Sequence, residues 1–416
     1  MSLPARPPGP RPERARAGEG GVLPLPPDLA VPGYGSASLA DVLPGVATAL
    51  GVPIPRDGLG ADPLGLTDAL GGARRVVVLL VDGLGADLLR DHADLAPTLA
   101  GLAQPVGGIS APCPSTTPVS LATLATGLPP GSHGILGFVT LVPGQLGPTG
   151  EDRTLNHVQW GEDPDPDLWQ SRPTVFEQVQ AAGVPTTAVG PYAYAGSGLT
   201  RAVYRGAAYP GSVSSGDLCA QVHAALTATQ RALVYAYVPD LDLTGHVRGI
   251  DSAAWRAQLA LLDRLVEQLV DGLPDDAALL VTADHGMLDV PDATRFDLDE
   301  ADLADGVRVL AGEPRARYVH VEPGAESDVL ARWREVLGHR AWVVGRDEAV
   351  ASGIFGRVDD TVAGRIGDVV ALARGSWALT TPRLEPGPSR LAAYHGSLTA
   401  TELAIPLRLA RGRSLG

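Results

Sequence analysis

Hydrophobic positions along this chain follow two rhythms. Short unbroken apolar runs alternate with longer stretches in which apolar residues return every three or four positions. Residues 76–81 (V-V-V-L-L-V), 232–238 and 278–282 are runs of the first kind, the last closed by a threonine, and 186–189 (T-T-A-V) is a shorter β-branched counterpart. Runs of that length without polar alternation predict strands buried on both faces. Residues 85–91 and 174–182 suit helices. The stretch 255–270, with Leu259, Leu262, Leu265, Val266 and Leu269 on one face and Gly272 at its end, predicts a longer one. Strands that alternate with helices need crossovers, which are right-handed. The pattern therefore predicts a doubly wound α/β fold, with a mostly parallel sheet and helices on both faces.

In such a sheet ligands collect beyond the carboxyl ends of the strands. Asp82 directly follows the first strand, Asp242 lies just past the third, and Asp284 follows the fourth. Three carboxylates are thus expected at one rim. Residues 291–388 carry short strands at 317–321 and 342–344 and a helix at 326–337, which predicts a smaller inserted subdomain. At the other end, residues 1–30 begin with a Pro/Arg-rich stretch that has no apolar segment to offset the entropy of ordering, and are expected to be a disordered tail. A Gly/Pro-rich arm (31–72) then leads into a catalytic domain (73–416).

Composition narrows the chemistry. The net charge of -15 argues against a partner that is polymeric nucleic acid. All 32 basic residues are arginine. No lysine can form a Schiff base, grip a phosphate in a P-loop or act as a general base. Cys113 and Cys219 are too few for a disulfide framework and read as buried apolar residues. No apolar stretch reads as a secretory signal or membrane span, so the expected location is the cytoplasm.

The metal-competent residues gather in four short motifs: Val81-Asp82-Gly83, Asp242-Leu243-Thr244-Gly245-His246, Asp284-His285-Gly286-Met287 and Tyr394-His395-Gly396. Asp242 and His246 are four apart, on one face of a helical turn. Asp240 is a rival at a spacing of six. A fifth motif, Pro114-Ser115-Thr116-Thr117-Pro118, precedes apolar residues at helical spacing and ends at Gly127. Pro118 suits the first helical position, which makes Thr117 the expected N-cap. A hydroxyl there faces unpaired N–H groups and the positive end of the helix. Ser115 and Thr116 are its neighbours in competition. Three carboxylates, three imidazoles and a hydroxyl are the parts for metal-assisted hydrolysis of a small anionic phosphoester. Oxygen and imidazole ligands without thiolate fit two divalent ions, zinc foremost, manganese or iron otherwise. The other six histidines have no such setting; His133 reads as support for its loop.

These motifs, together with P-S-T-T-P-x-S-L-A-T-L-A-T-G from Pro114 to Gly127 and His133-Gly134-Ile135, resemble the alkaline phosphatase superfamily. The closer resemblance is to its nucleotide pyrophosphatase/phosphodiesterase branch, in order and over about residues 76–396. The resemblance implies that Asp82, Thr117, Asp284 and His285 hold one zinc ion, and Asp242, His246 and His395 a second, ~4 Å apart. It also implies that Thr117 attacks phosphorus to give a phospho-threonine intermediate. Enzymes of that branch place an asparagine shortly after H-G-I as a donor to phosphoryl oxygen; Phe138 stands there, and Asn156 is the candidate substitute for substrate binding. No arginine lies in the motifs, which favours diesters or a nucleotide-type pyrophosphate bond over monoesters, although inserted loops can deliver Arg315 or Arg317, and Arg248 stands near His246. A phosphomonoesterase, a phosphonate hydrolase and, as another class, a catalytically inactive metal-binding scaffold are the alternatives.

Overall fold

The structure, a computed structural model, describes residues 24–146 and 150–413. The expected tail therefore lies outside the described residues up to 23. Order begins before residue 30: Leu29 is buried and bridges Thr399, and Ala30 N–H donates to the Leu398 carbonyl at 2.9 Å.

The central sheet has five strands: β1 (Arg75–Val81), β2 (Thr186–Val189), β3 (Ala232–Val238), β4 (Ala277–Ala283) and β9 (Leu407–Arg411), in the order β9-β4-β1-β3-β2. Four run parallel and β9 pairs antiparallel with β4 at the edge. From Val76 onward β1 is fully buried, as are β3 and β4 along their lengths. That is why their sequences are continuously apolar. Their register matters most for function. Val81 pairs with Val238 on one side and with Ala283 on the other, so β1, β3 and β4 end level.

The helices relevant to the rim are α1 (Thr117–Thr126), α2 (Ser215–Thr227), α3 (Asp240–Arg248) and α4 (Ala253–Asp271). The side chain of Ser252 caps α4, and Trp255, Leu259, Leu262, Val266 and Leu269 bury its apolar face. The Gly/Pro-rich arm is not a bare connector. Its Leu39, Val42, Leu43 and Val46 recur at helical spacing and join the main core, and its Arg56 forms a fully buried ion pair with Asp41 at 2.9 Å.

A second sheet of four antiparallel strands lies between β4 and β9. It consists of β5 (Val307–Glu313), β6 (Ala316–Val321), β7 (Ala341–Gly345) and β8 (Val369–Ala373), in the order β5-β6-β8-β7, with α5 (Glu326–Leu337) against it. Val319, Trp333, Leu337, Val343 and Val369 form a core of its own. The turn between β5 and β6 carries Arg315, which reaches out of this unit to Glu402. Both side chains are fully buried and 2.7 Å apart. Glu402 also accepts from the N–H groups of Ser397 and Thr399, so the pair holds the segment that follows His395. Arg315→Met leaves that carboxylate buried without its counter-charge, and is expected to lower stability by about 3–5 kcal/mol. Urea unfolding followed by circular dichroism measures this; a loss below about 1 kcal/mol would mean that water reaches Glu402.

Candidate active site

The level strand ends deliver the first groups. Asp82 and Asp284 are the residues immediately after paired partners, and therefore neighbours across the sheet. Asp242 arrives on the first turn of α3, four residues before His246. Two glycines allow the backbones to converge. Gly83 has φ +73°, and a Cβ on it would stand 3.0 Å from Cα of Asp242. A Cβ on Gly286 would meet the Thr401 carbonyl oxygen at 2.1 Å, where no side chain fits. The Asp284 carboxylate is fixed through Oδ1, which accepts from Gly83 N–H at 3.0 Å and His285 N–H at 2.9 Å. His395 comes from the far end of the chain; Ser115 Oγ accepts from Gly396 N–H, and the Ser115 carbonyl accepts from His395.

The three imidazoles are anchored alike. Nδ1 of His246 lies 2.7 Å from the Ala393 carbonyl, Nδ1 of His285 3.1 Å from that of Gly286, and Nδ1 of His395 2.8 Å from that of Ser115. A carbonyl oxygen only accepts, so each Nδ1 carries the proton and each Nε2 presents a lone pair. Those lone pairs converge on acceptors. Nε2 of His246 and His395 are 3.1 Å apart. Nε2 of His246 is 3.3 Å from Asp242 Oδ2, and Nε2 of His285 is 3.2 Å from Asp284 Oδ2. Asp82 Oδ1, Asp242 Oδ1 and Asp284 Oδ2 are buried with no hydrogen-bond partner among the described residues.

Acceptors facing acceptors in a buried space repel unless a cation stands among them. The six residues sort into two trios whose ligand atoms lie within 4.8 Å of one another: Asp82 with Asp284 and His285, and Asp242 with His246 and His395. Oxygen and imidazole donors of this kind fit divalent metal. The electrostatics have the same cause. Burial, then the Asp284 charge, pushes the Asp82 carboxyl well above the usual range. Burial raises Asp242 to about 7 and lowers the His285 imidazole to about 3.

Thr117 Oγ1 sits against the first trio, 3.3 Å from His285 Nε2 and 3.5 Å from Asp82 Oδ2. Its helical position is one later than expected. Thr116 has the extended N-cap backbone (φ -137°, ψ 146°), and Thr117 and Pro118 open α1. A proline fits either place, because neither of the first two helical N–H groups has a partner to lose. The competitors point elsewhere. Ser115 Oγ donates to the Ser397 carbonyl at 2.7 Å, and Thr116 is completely buried. Asp240, the rival of Asp242, is exposed.

A cavity of about 340 Å³ opens beside Thr117, with Asp82, Asp242, His246 and His395 in its wall. Its other walls are apolar or aromatic, among them Phe138, Leu199, Tyr204, Tyr209 and Leu243. Tyr237 lines it too, and its hydroxyl donates to Asp82 Oδ2, leaving Oδ1 directed to the trio. Neither Tyr237 nor the aromatic wall was expected from the sequence. A tyrosine one residue before the end of a buried strand was the available signal.

The structure does not bring Asn156 to this cavity. Its side-chain oxygen accepts from the N–H groups of Val158 and Gln159, capping the turn His157–Gln159. Phe138 is at the wall, and the segment carrying it is held by His157, whose Nδ1 lies 3.3 Å from the Phe138 carbonyl. No described arginine lines the cavity. Arg315 is committed to Glu402 and Arg317 to Glu385, both in the second sheet, and Arg248 is exposed at the end of α3. His133 supports its loop: its Nε2 lies 2.9 Å from Thr123 Oγ1, and its Nδ1 accepts from Ile135 N–H.

Comparison with known proteins follows this geometry. The sequence model described as type I phosphodiesterase / nucleotide pyrophosphatase matches residues 76–398. No curated protein matches the chain. Among solved structures, murine ectonucleotide pyrophosphatase / phosphodiesterase 5 is 21% identical with a TM-score of 0.65, over 81% of this chain and 88% of that one. The same murine protein as an inactive threonine-to-alanine variant, in complex with AMP, is 21% identical with a TM-score of 0.64, over 82% and 88%. The human counterpart is 19% identical with a TM-score of 0.63, over 81% and 87%. The fold is that of these alkaline-phosphatase-like structures.

Proposed function

We propose a reaction course from the premise that the chain belongs to the type I phosphodiesterase / nucleotide pyrophosphatase family and is a hydrolase acting on phosphoester bonds. In it Thr117 is the nucleophile, and two divalent cations, zinc foremost, are held by Asp82, Thr117, Asp284 and His285 and by Asp242, His246 and His395. One observation carries this reading: three imidazoles, each pinned through Nδ1 to a backbone carbonyl, aim their lone pairs with three partnerless carboxylate oxygens into one space beside a hydroxyl. Bound cations would supply Lewis-acid stabilisation of the phosphoryl oxygens and favour the ionised form of the hydroxyl.

The chain's own residues do the rest. Thr117 Oγ1 is bordered by Asp82 Oδ2 at 3.5 Å and His285 Nε2 at 3.3 Å, groups that would themselves hold a cation beside it, so the hydroxyl proton would pass to solvent as the attack begins. Oγ forms a bond to phosphorus as the bond to the leaving alcohol oxygen breaks, and that alcohol gains a proton. Water then attacks the phospho-threonine, releasing a phosphate monoester and restoring the hydroxyl. The inactive threonine-to-alanine variant of the murine protein supports a threonine in this role, and its complex with AMP supports a small phosphoester substrate.

Charge favours diesters over monoesters. A monoester dianion calls for cationic side chains on its free oxygens, and no described arginine is in the wall. With zinc or manganese supplied, kcat/KM for bis-p-nitrophenyl phosphate is expected to exceed that for p-nitrophenyl phosphate by roughly tenfold or more, from one unpaired charge in a partly desolvated site. A preference for the monoester would overturn the diesterase reading. A protein that binds metal and turns over neither would be a scaffold.

A further inference from the structure

We propose that the cavity beside Thr117 takes a phosphodiester with a single negative charge and a long apolar ester group, seated against Phe138, Leu199, Tyr204, Tyr209 and Leu243. This deepens the phosphodiesterase reading and rests on it.

Three independent features lead there. The first is charge. Apart from the groups that would hold the cations, the wall carries no described arginine, so additional phosphate groups on a substrate would find no cationic side chain there. The second is the state of the polar tips in the aromatic wall. The hydroxyls of Tyr204 and Tyr235 are bonded to each other at 3.2 Å, that of Tyr209 donates to the Pro191 carbonyl at 3.0 Å, and that of Tyr237 donates to Asp82. Ser197 Oγ is occupied by Thr200, donating to its hydroxyl at 3.1 Å and accepting from its N–H at 3.2 Å. What these residues offer an occupant is ring faces and methylene groups. A base edge placed there would recover only part of its hydrogen bonding with water, from hydroxyl lone pairs and from Tyr194 at the mouth.

The third feature is the mouth. Val158, Tyr194 and Leu243 line the cavity and are 45%, 43% and 60% exposed. Val247, one helical turn beyond Leu243, is 53% exposed. Apolar side chains exposed side by side at the opening of an apolar cavity mark a binding surface. Here the surface continues the cavity outward, which suits a group longer than a single ring.

The test compares three substrates that release the same p-nitrophenol: p-nitrophenyl methyl phosphate, p-nitrophenyl octyl phosphate and thymidine 5′-p-nitrophenyl phosphate, on the zinc-loaded protein. Each fully buried methylene multiplies binding roughly fourfold. Burial of about half the extra methylenes of the octyl ester then gives a kcat/KM about a hundredfold above the methyl ester, and above the thymidine ester. Leu243→Asn is expected to shrink the octyl-to-methyl ratio by about tenfold. A second measurement does not depend on turnover: calorimetric binding of octyl methylphosphonate against adenosine 5′-methylphosphonate. The octyl compound is expected to bind at least tenfold tighter, with the more negative heat-capacity change. An octyl-to-methyl ratio near one, or a preference for either nucleoside compound, would overturn the proposal. If no diester is turned over while the octyl phosphonate still binds tighter, the phosphodiesterase reading fails and the assignment of the cavity stands.

Discussion

Thr117→Ala is expected to lower kcat on bis-p-nitrophenyl phosphate by roughly 10⁴-fold, the scale of losing the nucleophile in covalent hydrolases, with two metal equivalents per chain retained. The metal should remain because each trio has its three ligand atoms without the hydroxyl. The fold should remain because Thr117 starts α1 without making a capping bond, and replacing it with alanine removes no helical N–H partner. Rapid quenching of a wild-type reaction should trap phosphate on this residue, and none in the variant. Thr117→Ser keeps the oxygen and should keep measurable turnover. Full activity in Thr117→Ala would transfer the attack to a water, since Ser115 is bonded to the Ser397 carbonyl and Thr116 is buried.

The second large effect is expected from Asp284→Asn, a change of charge at nearly constant shape. Its Oδ1 already accepts two backbone N–H groups, and an asparagine oxygen can continue to do so. What changes is the position of Oδ2, 3.2 Å from His285 Nε2. A carboxylate oxygen that can ligate a cation becomes an amide donor that cannot. Elemental analysis should find one metal per chain instead of two, and kcat should fall by roughly 10³-fold through loss of Lewis-acid stabilisation. Two metals in Asp284→Asn, with activity intact, would remove this carboxylate from the ligand set.

The parts of the molecule legible in its sequence are those whose signal is local. β3 is an uninterrupted apolar run and β2 (T-T-A-V) a short, largely β-branched one, and both strands begin and end where those runs do. α5 follows its charged and apolar period over Glu326–Leu337. The arrival of Asp82 and Asp284 at one rim was legible because a strand end followed directly by a carboxylate is a local pattern, present at both β1 and β4. β9 was not. It has five residues, L-R-L-A-R, and its partner β4 lies more than a hundred positions earlier. An edge strand half facing solvent has little pattern in so short a span. β5, at the edge of the second sheet with only its last three residues buried, was missed for the same reason, whereas β8 (V-V-A-L-A), fully buried between β6 and β7, carried the local signal and could have been found. α2 was there to be found, with Ser214 as its cap and Leu218, Val222 and Leu226 four apart. The cavity was beyond reach. Phe138, Leu199, Tyr209 and Leu243 come from four separate segments, and only packing makes them one wall.

His395 reaches its place by way of the second sheet, through the Arg315–Glu402 pair that secures the segment after it. During synthesis the ribosome therefore releases Asp82, Asp284 and His285 well before His395 exists. The imidazole that completes the second trio is thus the last of the six candidate ligands to be made, and its place is secured only once Arg315 and Glu402 have met.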